Sequence, residues 1–342
     1  MKIGNCDLND QCMIIAEVGQ AHEGSLGTAY AYVDAVAETG ANAIKFQTHI
    51  ASEESTKEDK FRVNFSKQDA TRYDYWNRME FTREQWVELA NYSRSKGLVF
   101  LSTAFSNKAV DILYEASCPA WKVGSGDLLT LPLLDKMVEK GGPILLSTGM
   151  ASWKEVDEVY QHLVRKTNEI AIFQCTTDYP CLPTNWGLNN ISAIRERYNV
   201  PVGFSDHSGE IYSGLAAATV GVDLLEVHVV FSKKCFGPDT KASLTIEDLA
   251  SLVKGVRKIE TAKKHPVDKD KMSAEKKELK TLFSRSIVAA RKLKKGHVIT
   301  NDDLQFKKPN LGIDAKYYKK VIGRIVLDDV EKDQYLSESE LK

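Results

Sequence analysis

Short apolar runs recur along the first three-quarters of the chain, and between them apolar residues fall at helical spacing. CMIIAEVG (12–19) reads as a strand. LGTAYAYVDAVAETG follows with helix periodicity and ends on Gly40, placed to cap its C-terminus. AIKFQT (43–48) is the next strand, and TREQWVELANYSRSKG (82–97) opens on a Thr/Glu/Gln helix start and closes on Gly97. LVFLST, AWKVGS, PILLST, IAIFQC, VGFSD and LLEVHV then alternate with helix-like segments at 107–116, 131–140, 152–166 and 185–198. About eight β/α units up to residue 264 predict a closed parallel (β/α)8 TIM barrel, with an open doubly wound sheet as the alternative.

The alternation stops after SLVKGVRKIETAKK. Residues 265–280, dense in lysine and acid, read as a solvated linker or exposed helix. From 281 to 342, short β runs separated by Lys-Lys-Gly and Asn-Asp-Asp turns predict a small, mostly β domain. The 50–80 segment is long for a barrel loop and rich in aromatics (Phe61, Phe65, Tyr73, Tyr75, Trp76). It reads equally as an active-site lid or a packed surface excursion.

Charge changes the picture only by exclusion. Lys and Arg number 46 against 47 Asp and Glu, a net charge of −1, which points away from nucleic acid or a membrane surface as a partner. The N-terminus has no apolar signal core, and no apolar run approaches bilayer length. The six cysteines are scattered without a CxxC pair, as in a reduced, cytoplasmic protein without a structural zinc site.

The chemistry collects where strands end. These positions hold Glu17, Lys45, Gln47, Thr103, Lys122, Ser125, Asp127, Ser147, Thr176, Thr177, Ser205, Asp206, His207 and His228. Singly, a Ser or Thr there caps a helix and a His is an ordinary polar residue. Together they suit an anion of phosphate character beside a divalent cation. Lys122 supplies a point charge and Ser125, Ser147 and Ser205 supply donors, while Gly124 and Gly126 let the backbone approach. His207 and His228 are candidate metal ligands of an open site, and Asp127 and Glu17 are candidates for acid/base work.

The stretches IIAEVGQAHEGSLGTA, ANAIKFQT, LSTAFS, AWKVGSGD, PILLSTGM, QCTTDYP, GFSDHS and LLEVHVV resemble the sialic acid synthase family. RSIVAARKLKKGHVITNDDLQFKKP resembles that family's C-terminal antifreeze-like (SAF, β-clip) domain. The resemblance implies condensation of phosphoenolpyruvate with an N-acetylmannosamine-type N-acyl hexosamine to a nine-carbon 2-keto acid. It implies that His207 and His228 hold the metal, Mn2+ with Mg2+ or Co2+ as substitutes, which polarises the sugar aldehyde. Lys122, Ser125, Ser147 and Ser205 would bind the phosphate and Lys45 the carboxylate. Gln47, Thr103, Tyr179 and Asp239 would line the sugar site, with Glu17 near the reacting centre. A domain-swapped homodimer is implied, in which Lys308 of one subunit reaches the partner's sugar.

Three positions depart from the family pattern. Asp127 replaces a glutamate, Thr177 stands where a phosphate-binding asparagine is common, and Lys308 replaces an arginine. They leave the sugar open among sialic, legionaminic and pseudaminic precursors. Two rival functions are a Schiff-base aldolase using Lys45 or Lys122, and a non-catalytic sugar- or ice-binding protein led by the C-terminal domain.

Overall fold

A period of two inside continuous apolar runs builds the barrel. In β1 (Met13–Gly19), Ile14, Ala16 and Val18 pack outward against helices, while Met13 and Ile15 face the interior. The same alternation recurs in β2 (Ala43–Thr48), β3 (Val99–Ala104), β4 (Trp121–Val123), β5 (Ile144–Ser147), β6 (Ile170–Cys175), β7 (Val202–Asp206) and β8 (Leu224–Val230). Strands buried on both faces read as unbroken hydrophobic runs for this reason. Neighbours pair in parallel in chain order, and β8 pairs with both β7 and β1, closing the barrel. The closed alternative therefore holds over the open sheet.

The structure, a computed structural model, describes residues Met1–Lys342 and divides into two units, Met1–Lys264 and His265–Lys342. Helix starts follow local chemistry. Thr82 and Ser152 form capping boxes with Gln85 and Glu155, and Ser25 and Ser106 cap the helices Leu26–Thr39 and Asn107–Glu115. A short hairpin (Lys2–Ile3 with Cys6–Asp7) joins the interior apolar cluster through Ile3 and Cys6.

The 50–80 segment carries the helices Ala51–Glu54 and Arg72–Met79 around a small core of Ala51, Tyr75, Trp76 and Met79. Arg78 ties it down, donating to Asp69 at 2.7 Å and to the Glu23 carbonyl at 3.0 Å.

In the second unit, Ser286–Ala289 pairs antiparallel with Leu304–Lys307 over a core that includes Ile287, Leu293, Ile299, Val326 and Leu336. Residues 265–280 lie mostly in two exposed helices, Lys269–Glu275 and Lys277–Phe283, the second running past the boundary expected at 280. No helix is long and apolar enough to cross a membrane.

Candidate active site

Inward positions turn from apolar to polar as each strand approaches its C-terminal end. Above Met13 and Ile15 stands Glu17; above Ala43 stand Lys45 and Gln47; above Val99 and Leu101 stands Thr103; above Leu224 stand Glu226 and His228. Lys122, Ser147 and Ser205 complete the ring from β4, β5 and β7. These side chains enclose a narrow cavity of about 70 Å³, which Ser125, Tyr179 and His207 also line, with Phe105 and Cys175.

Four charges are buried together there. Lys45 Nζ lies 2.8 Å from Glu17 and 3.7 Å from Glu226, and donates to Thr103 Oγ1 at 3.1 Å. Lys122 Nζ donates to Ser147 Oγ at 2.7 Å and lies 3.3 Å from Glu226. Burial opposes ionisation of Glu226, but Lys122 and then Lys45 outweigh it and hold the carboxyl below its usual range. For Glu17 burial wins over Lys45, and its carboxyl is pushed up. Burial also works against the Lys45 cation, yet Glu17 and Glu226 prevail and raise its pKa.

The two histidines are neutral. Burial pushes both His207 and His228 down to about 3. His207 Nδ1 lies 2.8 Å from the Thr176 carbonyl, which can only accept, so Nδ1 carries the proton and Nε2 keeps its lone pair. That Nε2 lies 3.1 Å from Tyr179 Oη, and the imidazole centroids are 5.4 Å apart. A neutral imidazole oriented by a backbone carbonyl is the donor a divalent ion requires. No group of three or more His, Cys, Asp or Glu side chains forms a complete metal cage, so an ion here would take further ligands from water or substrate.

Four expected residues lie outside this cavity. Thr177 and Asp239 line an outer cavity of about 220 Å³ under the 50–80 segment, which shares Gln47 and Tyr179 with the inner one. Asp239 pairs with Arg62 at 2.7 Å and lies 3.9 Å from His228. Asp127 lines a second outer cavity of about 610 Å³ with His49, Glu54, Glu58 and Asp59; burial and then Glu54 push it up to about 6. Lys308 belongs to the C-terminal unit, exposed, its ammonium 5.4 Å from the Phe283 ring centre.

Residues absent from the strand-end reading also appear. Glu226 bridges both lysines, and its signal was its parity: two positions before His228, it must face the same way. Gln20, Arg62 and Tyr75 line the outer cavity, the last two from the 50–80 segment. Tyr75 was marked only as one of the aromatics of the 50–80 segment, and nothing in the local sequence marks Gln20 or Arg62.

A closed barrel with lysines, carboxylates, hydroxyls and imidazoles gathered at one mouth defines a TIM-barrel protein with a polar cavity at its C-terminal face. Known proteins narrow this. The NeuB family model matches residues 32–268 and the SAF domain model residues 284–342. N-acetylneuraminate-9-phosphate synthase of Homo sapiens is 33% identical over 96% of this chain and 92% of its own. N,N'-diacetyllegionaminic acid synthase of Campylobacter jejuni is 31% identical over 95% of this chain and 99% of its own. The solved N-acetylneuraminic acid synthetase of Leptospira borgpetersenii, in complex with citrate, superposes with a TM-score of 0.72 at 27% identity, covering 82% of this chain and 95% of that one. The chain belongs to the NeuB family, the group of sialic, legionaminic and pseudaminic acid synthases, and ends in a SAF domain.

Proposed function

We propose that this protein condenses phosphoenolpyruvate with an N-acyl hexosamine of the mannosamine type, giving a nine-carbon 2-keto acid and phosphate. The observation that carries the reading is the burial of Lys122, Lys45, Ser147 and Ser205, with half-buried Ser125, beside two neutral imidazoles at one barrel mouth. Names of relatives at about this identity over nearly full length support it.

In this reading Lys122 with Ser125, Ser147 and Ser205 receives the phosphate, and Thr177 stands at its outer side; Lys45 takes the carboxylate. His207 and His228 would hold a divalent metal, with manganese expected and magnesium or cobalt as substitutes. When bound, the ion supplies Lewis acidity toward the sugar aldehyde. The C3 carbon of the enol ester attacks the aldehyde carbon, and water adds to the resulting C2 cation. Phosphate then leaves by C–O cleavage. Glu17, whose carboxyl is held above its usual range by burial, stands where it can carry a proton beside this centre. Gln47, Thr103, Tyr179 and Asp239 would orient the sugar, and Asp127 stays a candidate proton carrier on the outer side.

The proposal extends to a cytoplasmic, domain-swapped homodimer in which Lys308 reaches the partner subunit's sugar. The Schiff-base alternative is disfavoured at Lys45. A nucleophilic amine must be unprotonated, whereas Glu17 and Glu226 favour the ammonium.

The test is to incubate the full chain with phosphoenolpyruvate, manganese and a panel of N-acyl hexosamines, following phosphate release and product mass. Chelation or His207→Ala should abolish release, and manganese should restore only the chelated wild type. Covalent trapping of a pyruvate-like donor by borohydride would instead favour the aldolase.

A further inference from the structure

The amide of Gln47, at the wall of the inner cavity, is oriented by its neighbours. Its NH2 donates to Glu17 Oε1 at 2.8 Å, and its carbonyl accepts from the Gln20 NH2 at 2.7 Å. Turning the amide over would set carbonyl against carboxylate and NH2 against NH2. The same carbonyl lies 3.2 Å from His49 Nε2. An oxygen that can only accept fixes the imidazole, and Nε2 carries a proton.

The other ring nitrogen is constrained as closely. His49 Nδ1 lies 2.5 Å from Glu54 Oε1, a separation that needs a proton in the bond. Glu54 Oε2 accepts from the Ile50 N–H at 3.3 Å. The pair therefore holds one proton more than a neutral ring beside a carboxylate. Without it, Nδ1–H would face Glu54 and a bare Nε2 lone pair would point at the Gln47 carbonyl. Both side chains are buried, His49 at 4% and Glu54 at 7% exposed. Burial pushes the ring's pKa down against the pull of Glu54, and Arg72 and Glu80 are the other charges that bear on it. A pair that shares its proton carries no net charge, which suits such a site. The imidazole is clamped face to face between Trp76 and Phe105, with ring centroids 3.8 Å and 4.3 Å away.

These bonds run in one line from Glu54 through His49 and Gln47 to Glu17, which pairs with Lys45 at 2.8 Å. Neither His49 nor Glu54 lines the inner cavity. We infer that they are a positioning pair for Glu17: by presenting Nε2–H to Gln47 they hold its NH2 on the Glu17 carboxyl and keep that carboxyl aligned at the inner cavity. The effect on turnover rests on the proposed condensation, whereas the state of the ring rests on the hydrogen bonds alone.

The experiment takes two readings on the full-length protein. Nitrogen-15 NMR of labelled histidine at neutral pH should show Nε2 of His49 protonated. The signal is assigned by its loss in His49→Phe or, should that variant not fold, in His49→Asn. Turnover is followed as phosphate release from phosphoenolpyruvate with manganese and N-acetylmannosamine or, failing that sugar, the best of the hexosamine panel. His49→Phe keeps a ring in the stack and removes both nitrogens. It should lower kcat about tenfold while the phosphoenolpyruvate KM moves less than about threefold. Glu54→Ala should do the same. In Glu54→Gln the carbonyl can take the Ile50 N–H and the NH2 can donate to Nδ1, which leaves Nε2–H on Gln47. That variant should keep kcat within about threefold of wild type at a thermal midpoint equal to that of Glu54→Ala. A bare Nε2 overturns the inference and leaves the condensation untouched. Wild-type kcat in folded His49→Phe overturns it as well, as does Glu54→Gln impaired as far as Glu54→Ala. Turnover of no sugar strikes the condensation and the role in turnover together, and the NMR reading still decides the state of the ring.

Discussion

Lys122 is held by Ser147 and Glu226 with its ammonium at the inner cavity, and in the proposed reaction that cation meets the phosphate. A charge-assisted bond in a site shielded from water is worth about 1.5–3 kcal/mol, so Lys122→Ala should raise the phosphoenolpyruvate KM by roughly tenfold to a hundredfold. Steady-state kinetics with each substrate varied in turn checks this; a change confined to the sugar KM would move Lys122 to the other half of the site. A second residue, Asp303, is the buried anion of the C-terminal unit. It accepts from Arg291 Nε at 2.8 Å, His297 Nε2 at 2.7 Å and Thr300 N at 2.9 Å. Burial works against its ionisation, but the bonds from His297 and Thr300, and then Arg291, hold the carboxyl well below the usual range. A lowered folded-state pKa gives stability that is present above about pH 4, the unfolded value, and is lost as pH falls through the folded value. Asp303→Asn should destabilise the unit by about 2–4 kcal/mol at neutral pH and flatten the acid limb of its stability curve. Denaturant titrations of the full chain across the acid range read both effects. Most inner-cavity residues were legible because each ends an apolar strand. Glu226 was passed over because it lies inside such a run, where only its inward parity separates it from core.

Among the elements, β7 shows how tightly the interior is filled. A Cβ at Gly203 would stand 2.4 Å from the Phe173 ring on β6, so the aromatic occupies the space a side chain would need. Overpacking of this kind costs about 1–3 kcal/mol, and Gly203→Ala should destabilise the barrel by that amount, read as a lowered chemical denaturation midpoint, without altering the C-terminal unit. Strand and helix positions were readable because period and caps are local properties. Thr82 and Ser152 announce their helices from within a few residues. The 50–80 segment was not decidable between lid and surface excursion. In the structure it packs around Tyr75 and Trp76, and its residues line the outer cavities. The Trp76 ring lies 3.8 Å from the centroid of His49, just beyond β2, a contact no local pattern encodes.

For the whole molecule, the two apolar clusters of the barrel draw only on residues before Lys264. A chain ending at Lys264 should therefore keep a cooperative thermal transition. The proposed swapped dimer predicts that this folded fragment loses phosphate release by about a hundredfold or more, because the sugar loses a positioning contact. Full activity in the fragment would remove the C-terminal domain from catalysis. Lys308→Ala in the full chain separates this residue from the rest of its domain.

By itself the sequence determined the alternation of strand and helix, the change of texture after residue 264, and the polar group at each strand end. Each depends on spacing over a few residues, where hydrophobic period and capping act. Closure of the sheet waited on the pairing of β8 with both β7 and β1. Tertiary structure alone decided that Glu17, Lys45, Lys122 and Glu226 share one buried network, that Asp127 and Thr177 face outer cavities, and that Gln20, Tyr75 and Arg62 line one of them. These side chains are distant in sequence, and closure of the barrel brings them within a few ångströms. Burial then sets which of them hold their charges, and burial is a property of the assembled core.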